Sequence, residues 1–194
     1  MSIDSSLSRG LFHIFGGLVI PITALFLPRV VFLSSLGAAT FIFLAFELLR
    51  LRTTTVNRWF LFYFKPLLRE EESSRLTGAS YVLISSLFAF LVFPRDVAIV
   101  ALSFLAVGDA LGTIIGKSWG RRKLWGKTLE GDLSCFVACL VTGSIFHYAG
   151  LGVSLLAVLA GSVAATLMEA VPLPINDNLT IPLLAVVVMT VVPP

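Results

Sequence analysis

Apolar residues fall into seven blocks along this chain, with polar residues confined between them. The blocks are approximately Leu7–Leu27, Val30–Leu51, Leu76–Phe93, Val97–Gly116, Leu133–Gly150, Leu151–Val171 and Leu179–Val192. Each approaches the roughly 20 residues a helix needs to cross the hydrocarbon core of a bilayer. The pattern predicts an all-α integral membrane protein, a single transmembrane domain over residues 1–194 built as a bundle of about seven transmembrane helices. The first block reads as a retained span rather than a signal peptide. Its n-region holds a single cation, Arg9, and no clear small-x-small cleavage site follows. Residues 52–75 are the longest polar stretch. Its Asn57–Pro66 segment mixes aromatic and basic residues, which suits an interfacial position on the membrane surface. A second polar loop, 117–132, is basic. No internal repeat is visible, so an inverted-repeat transporter has no support.

Composition sharpens this picture. Of 194 residues 57% are apolar and 13% charged, with a mean hydropathy of +0.98. A soluble domain carries about 25% charged residues, so half the usual charge excludes a soluble globule. Fifteen glycines, nine prolines and two cysteines fit neither collagen, disorder nor a disulfide scaffold. Cys135 and Cys139 lie four apart within an apolar block and read as small packing residues.

The excess of basic residues reads as topology, not as nucleic-acid binding. With the N-terminus inside, Arg9, Arg50, Arg52, Arg58, Lys65, Arg69, Arg75, Lys117, Arg121, Arg122, Lys123 and Lys127 all fall on the cytoplasmic side. Arg29 and Arg95 fall outside. That split satisfies the positive-inside rule for an odd number of spans, with the C-terminus outside. Most acids then lie on the same cytoplasmic face. Acids at membrane depth are costly and mark function. Three helices begin on this face, at Thr77-Gly78-Ala79, Glu130-Gly131-Asp132 and Asn176-Asp177-Asn178, and free N–H groups at helix starts attract phosphate. Carboxylates, cations and helix starts together suit a nucleotide with Mg²⁺.

The centre of the pattern is Gly108-Asp-Ala-Leu-Gly-Thr-Ile-Ile-Gly-Lys-Ser-Trp-Gly120. Glycines 108, 112, 116 and 120 recur every four residues and form a bare helical stripe, suited to close helix packing or to an approaching ligand. Asp109, Thr113 and Lys117 recur on a strip beside it. This strip could hold a metal and a phosphate chain, or form an internal charge network. Glu130 is expected to face the side of Asp109. The run Glu70–Glu72 reads as a solvated loop, and His13 as a structural hydrogen-bonding residue.

These residues resemble the CTP-dependent polyprenol kinases. That family includes dolichol kinase, phytol kinase and the CTP-type diacylglycerol kinase, and is similar in turn to phosphatidate cytidylyltransferases. The resemblance rests on Gly108-Asp-Ala-x₅-Gly116-x₃-Gly120-Arg followed by Lys127-Thr-x-Glu-Gly131. Arg9-x₃-His13, Glu47-x₂-Arg50, Leu76–Tyr81, Glu169-x₂-Pro172 and Asp177–Pro182 support it. Gly10 departs from a usual Lys, Gly112 from a usual Ala, and Asp132 from a usual Ser or Thr. The resemblance implies phosphoryl transfer from CTP, as co-substrate, to the hydroxyl of a membrane lipid alcohol, by a multi-pass protein with its active site on the cytoplasmic face. It implies Asp109 and Asp177 as Mg²⁺ ligands, with Lys117, Lys127, Arg121 and Arg122 on the phosphates. Gly108, Gly112 and Gly116 would lie along the nucleotide. Glu130 would orient Lys127 or the metal, Glu169 or Asp177 would accept the hydroxyl proton, and Asn178 would fix the local geometry. A cytidylyltransferase making a CDP-lipid would use the same groups. A non-enzymatic membrane protein or small transporter would instead show charges near the bilayer midplane.

Overall fold

The computed structural model describes residues 3–192, with side chains from Gly10 onward. The side chains of Asp4 and Arg9, and the C-terminus expected outside, lie outside the described residues. Every apolar block contains a helix. In chain order these are α1 (Ile3–Phe26), α2 (Arg29–Arg52), α4 (Gly78–Val92), α5 (Arg95–Ser103) with α6 (Ala110–Trp119), α7 (Leu129–Tyr148), α8 (Leu155–Ala170) and α9 (Asp177–Val191). Between α2 and α4, the amphipathic segment forms α3 (Thr54–Phe64). Two antiparallel strands, β1 (Lys123–Leu124) and β2 (Lys127–Thr128), make a hairpin inside the basic loop.

Local chemistry sets the boundaries. Pro28 and Pro94 immediately precede α2 and α5, because the residue before a proline disfavours helix and proline itself opens one well. Thr128 Oγ1 accepts from Gly131 N at the start of α7, Ser154 Oγ from Ala157 N at α8, and Asn176 Oδ1 from Asn178 N at α9, the usual N-cap bonds. Thr77 also precedes a helix, but makes no side-chain cap there.

Among the described residues, three helices are long and apolar enough to cross a membrane: Arg29–Arg52, the continuous Arg95–Trp119 rod, and Leu129–Tyr148. Gly10–Phe26, Gly78–Val92, Leu155–Ala170 and Asp177–Val191 are apolar but shorter. The Arg95–Trp119 rod is the axis, 72% buried against 22% for α2 and 33% for α7. Around it pack α1, α7, α8 and α9, while α4 joins α2 to α9. Its core comprises Ile99, Val100, Phe104 and Leu105, closed by Cys135, Cys139, Val158, Ile181 and Met189. The axis is not a regular α-helix. Phe104–Asp109 widen into a π turn, a feature often found at functional sites, and Asp109 ends that turn.

The glycine stripe lies in the contact between α6 and α7. A Cβ on Gly108 would strike the Cys139 sulfur, and one on Gly112 would come within 3.1 Å of Cys135 Cβ and 3.2 Å of the Gly131 carbonyl. One on Gly116 would meet Thr128 Oγ1 at 2.7 Å. Of the two readings of the stripe, close helix packing is the one visible in these contacts. Both cysteines are buried and free.

Candidate active site

A group of ionisable side chains gathers at the end of the bundle where α8 stops and α7 and α9 begin. Its hub is Lys127, delivered by β2. The hairpin turns tightly, with Leu124 paired to Lys127 and only Trp125 and Gly126 between them. Both turn residues have positive φ, +47° and +92°. Gly126 adopts this at little cost, so the second strand can double back over the bundle end. The Lys127 ammonium donates to Glu169 Oε1 at 2.8 Å and approaches Asp177 Oδ2 at 3.5 Å. Glu169 closes the last turn of α8 and is almost fully buried, whereas Asp177 opens α9. Asp109 lies within electrostatic range of all three. Burial lowers the pKa of Lys127. The hydrogen bond to Glu169 and the charges of Glu169, Asp177 and Asp109 outweigh that, and hold it above the ordinary lysine value of 10.5.

Two residues complete the group. His13 on α1 places Nε2 3.5 Å from Asp109 Oδ2. Asp132, in the first turn of α7, is buried and faces the Glu169 carboxyl. Both Asp132 oxygens and Glu169 Oε2 are buried without a hydrogen-bond partner. Unsatisfied buried carboxylate oxygens are costly, so this corner of the site has acceptor capacity for a cation or a donor. Among the described residues no three His, Cys, Asp or Glu side chains converge closely enough to cage a metal ion alone. One or two carboxylates completed by phosphate oxygens is the usual way a protein holds Mg²⁺, and the hard oxygen donors here suit it.

The structure thus brings together Asp109, Lys127, Glu169 and Asp177, and gathers the other expected residues differently. Glu130 accepts from the backbone N–H groups of Arg121 at 3.0 Å and Arg122 at 3.3 Å, so it pins the entry to the hairpin that carries Lys127. Lys117, Arg121 and Arg122 are exposed along the rim. Asn178 is buried beside Gly78, its backbone carbonyl accepting from Ser85 Oγ at 2.9 Å, which locks α9 to α4.

The polar loop supplies the outer wall. Glu70 and Glu71 are exposed as a solvated loop should be, but Glu72 is buried and accepts from Arg69 N at 2.8 Å and Gly78 N at 2.6 Å. Arg69 is in turn within electrostatic range of Asp177. Behind this wall, Glu47 and Arg50 are completely buried. Arg50 Nε and Nη2 meet the Glu47 carboxylate at 2.7 and 3.0 Å. The guanidinium also donates to Asn57 Oδ1 and the Arg75 carbonyl, and stacks on Phe60. Thr77 N and Ser80 Oγ donate to Glu47 Oε2. This fork ties α2, α3 and the loop to the start of α4, next to Asn178. Sequence reasoning placed Glu47, Arg50 and Asp132 within the pattern but gave them no role. Their burial is the missing signal, and it comes from neighbours distant in the chain.

The chain is 27% identical over 186 residues to an uncharacterized protein of Rickettsia prowazekii, covering 93% of this chain and 91% of that one. It is 30% identical over 146 residues to a probable chloroplastic phytol kinase 2 of Glycine max, covering 66% of this chain and 49% of that enzyme. It is 25% identical over 171 residues to the CTP-dependent diacylglycerol kinase 1 of Saccharomyces cerevisiae, covering 75% and 59%. The chain thus spans about half the length of these kinases. No protein-family model and no solved structure matches it. Among its distant relatives are therefore kinases of the phytol and CTP-dependent diacylglycerol types.

Proposed function

We propose that this protein is a multi-pass membrane lipid kinase that transfers a phosphoryl group from CTP to the hydroxyl of a lipid alcohol on the cytoplasmic face, by seven crossings with the N-terminus inside. The observation that carries this reading is the Lys127 ammonium held between Glu169 and Asp177, with Asp109 beside it. Phosphoryl transfer needs little covalent help from a protein. It needs charge neutralisation and alignment, and these residues offer both. Relatives named as phytol and CTP-dependent diacylglycerol kinases support the same class of reaction.

Mg²⁺, when bound, neutralises and clamps phosphate oxygens, and Asp109 and Asp177 would hold it. The chain's own residues do the rest. Lys127 exchanges part of its carboxylate contact for the phosphates, with Lys117, Arg121 and Arg122 lining their approach. Glu130 fixes the hairpin so that Lys127 reaches inward. Glu169, relieved of Lys127, is placed to take the proton of the acceptor hydroxyl. Gly108, Gly112 and Gly116 let α7 approach α6 closely, which keeps Asp132, in the first turn of α7, at the bundle end beside Glu169. Asn178 holds α9, and therefore Asp177, in register with α4.

The test is purified protein with γ-labelled CTP, Mg²⁺ and a panel of phytol, a polyprenol and diacylglycerol. Labelled lipid phosphate together with CDP is the expected result. Pyrophosphate with a CDP-lipid would establish a cytidylyltransferase instead, and absence of turnover with every acceptor would overturn the enzymatic reading.

A further inference from the structure

The hairpin that carries Lys127 has a tip that the site does not explain. Trp125 occupies the first central position of its two-residue turn at φ +47°, where Asn, Asp or Gly is normally found. A bulky residue is strained there, and nothing local rewards it, because the indole is 62% exposed. Strain of this kind points to function at the strained residue. The neighbourhood has one consistent chemistry. Trp119 is 69% exposed, and Arg121, Arg122 and Lys123 stand exposed between the two indoles.

The level of the hairpin follows from α7. Leu129, Leu133, Val137, Val141 and Ile145 are all exposed and recur every four residues, so they form one apolar stripe along the helix. The stripe is about 24 Å long at about 1.5 Å per residue, close to the thickness of about 30 Å for a hydrocarbon core. It begins at the first residue of α7, immediately after β2. The hairpin therefore leaves the bundle at the level of the headgroups. Indoles there bury their rings while keeping the N–H wet, and clustered cations there meet anionic lipid.

We propose that the β1–β2 hairpin docks its tip into the cytoplasmic headgroup layer of the surrounding bilayer, Trp125 entering the interface and Lys123 contacting anionic phospholipid. The inference rests on the membrane placement in the functional reading, but not on CTP chemistry. Its consequence is positional. Lys127 follows Trp125 by two residues, so a docked tip sets the height of the Lys127 ammonium relative to the plane in which an acceptor headgroup lies.

Fluorescence tests this without any substrate. Replacing Trp59 and Trp119 by Phe leaves Trp125 as the sole indole of three. The protein is placed in nanodiscs of phosphatidylcholine, or of phosphatidylcholine with phosphatidylglycerol, carrying bromine near the acyl carbonyl. Blue-shifted Trp125 emission, quenched more strongly in the discs with phosphatidylglycerol, is expected. Lys123→Gln is expected to weaken the phosphatidylglycerol-dependent part about fivefold, the weight of one surface cation. Emission unquenched in both discs, or quenched equally in both, would overturn the proposal. Trp125→Asn, which suits the turn better, guards against misfolding: its thermal stability in detergent should equal or exceed that of the parent chain, and a marked loss would make Trp125 a packing residue and overturn the docking role. Failure of the kinase reading leaves every one of these measurements intact.

Discussion

Removing the Lys127 ammonium should separate two functions of one side chain. In Lys127→Ala the Glu169 carboxylate, 4% exposed at its side chain, loses its 2.8 Å partner and stands beside Asp132 and Asp109 with no cation between them. Stripping one partner from a buried pair costs about 3–5 kcal/mol. The lysine side chain is 32% exposed, so water relieves part of that, and a loss of about 2 kcal/mol is expected, in the range for a charged hydrogen bond. Glu169→Gln keeps the shape and removes the charge. The double variant should therefore recover most of the loss, with a coupling energy of about 1.5 kcal/mol, since contacting residues couple by about 0.5–3 kcal/mol. Thermal unfolding in detergent reads this half of the prediction. The other half is kinetic: kcat/KM for CTP should fall by about 100-fold, the scale of losing one electrostatic stabiliser in an active site, with the KM for the lipid alcohol little changed. Losses that add within about 0.5 kcal/mol would refute the pairing. A kinetic loss confined to the lipid would move Lys127 to the acceptor.

The pH dependence follows from the same contacts. Because the Lys127 pKa is raised, its contribution to stability is complete below 10.5 and is lost only as pH rises through the higher folded value; a loss of stability at high pH that persists unchanged in Lys127→Ala would contradict this. Asp109→Asn should lower turnover at least about 100-fold with the melting temperature retained, and near-normal turnover in the folded variant would remove Asp109 from the site. Gly112→Leu should destabilise by about 1–3 kcal/mol through overpacking against Cys135 and the Gly131 carbonyl, measured by melting without ligand; an unchanged melt with a raised CTP KM would place the glycine against nucleotide instead. Glu47→Ala should cost about 3–5 kcal/mol by leaving the Arg50 guanidinium buried and unpaired, seen as loss of folded protein in size-exclusion chromatography, and a well-folded variant would show that the fork is dispensable.

The helices were legible in the sequence because apolar blocks of this length have few alternatives. Each block became a helix, and of the starts expected at Thr77, Glu130–Asp132 and Asn176–Asn178 the last carries the side-chain cap its residues suggest, from Asn176. Asp109, Lys127, Glu169 and Asp177 were legible as candidates because charge in an apolar chain is conspicuous. Their grouping was not. It joins the axial rod, a hairpin and the ends of two further helices, separations of 42 residues for Lys127–Glu169 and 50 for Lys127–Asp177, which periodicity within one helix cannot reach. Glu130 shows the converse. Its position at a helix start suggested a part in the site, but a carboxylate there can also accept from neighbouring backbone N–H groups, and those of Arg121 and Arg122 lie closest.

The glycine stripe and the hairpin then become parts of one arrangement. With Cβ atoms at 108, 112 and 116, α7 would be held away from the axial rod, and Asp132 in its first turn would move away with it. The hairpin lies against this close approach at the bundle end, Thr128 meeting Gly116 and capping α7 at Gly131. Its one inward-reaching cation offsets part of a cluster of four acids: Asp109, Asp132, Glu169 and Asp177. Carboxylates this close repel unless a counter-charge is present. Lys127, with Arg69 within electrostatic range of Asp177, offsets only part of that charge, so a cation-bearing anion such as a metal nucleotide is favoured over a bare one. The same imbalance explains why the lysine must sit on a hairpin rather than a helix. A strand pair this short, held by its two pairings, the Glu130 carboxylate and the Leu129 N–H to the Arg122 carbonyl, can shift when phosphates arrive, whereas a lysine fixed on a packed helix would keep its carboxylates and leave the phosphates without a partner.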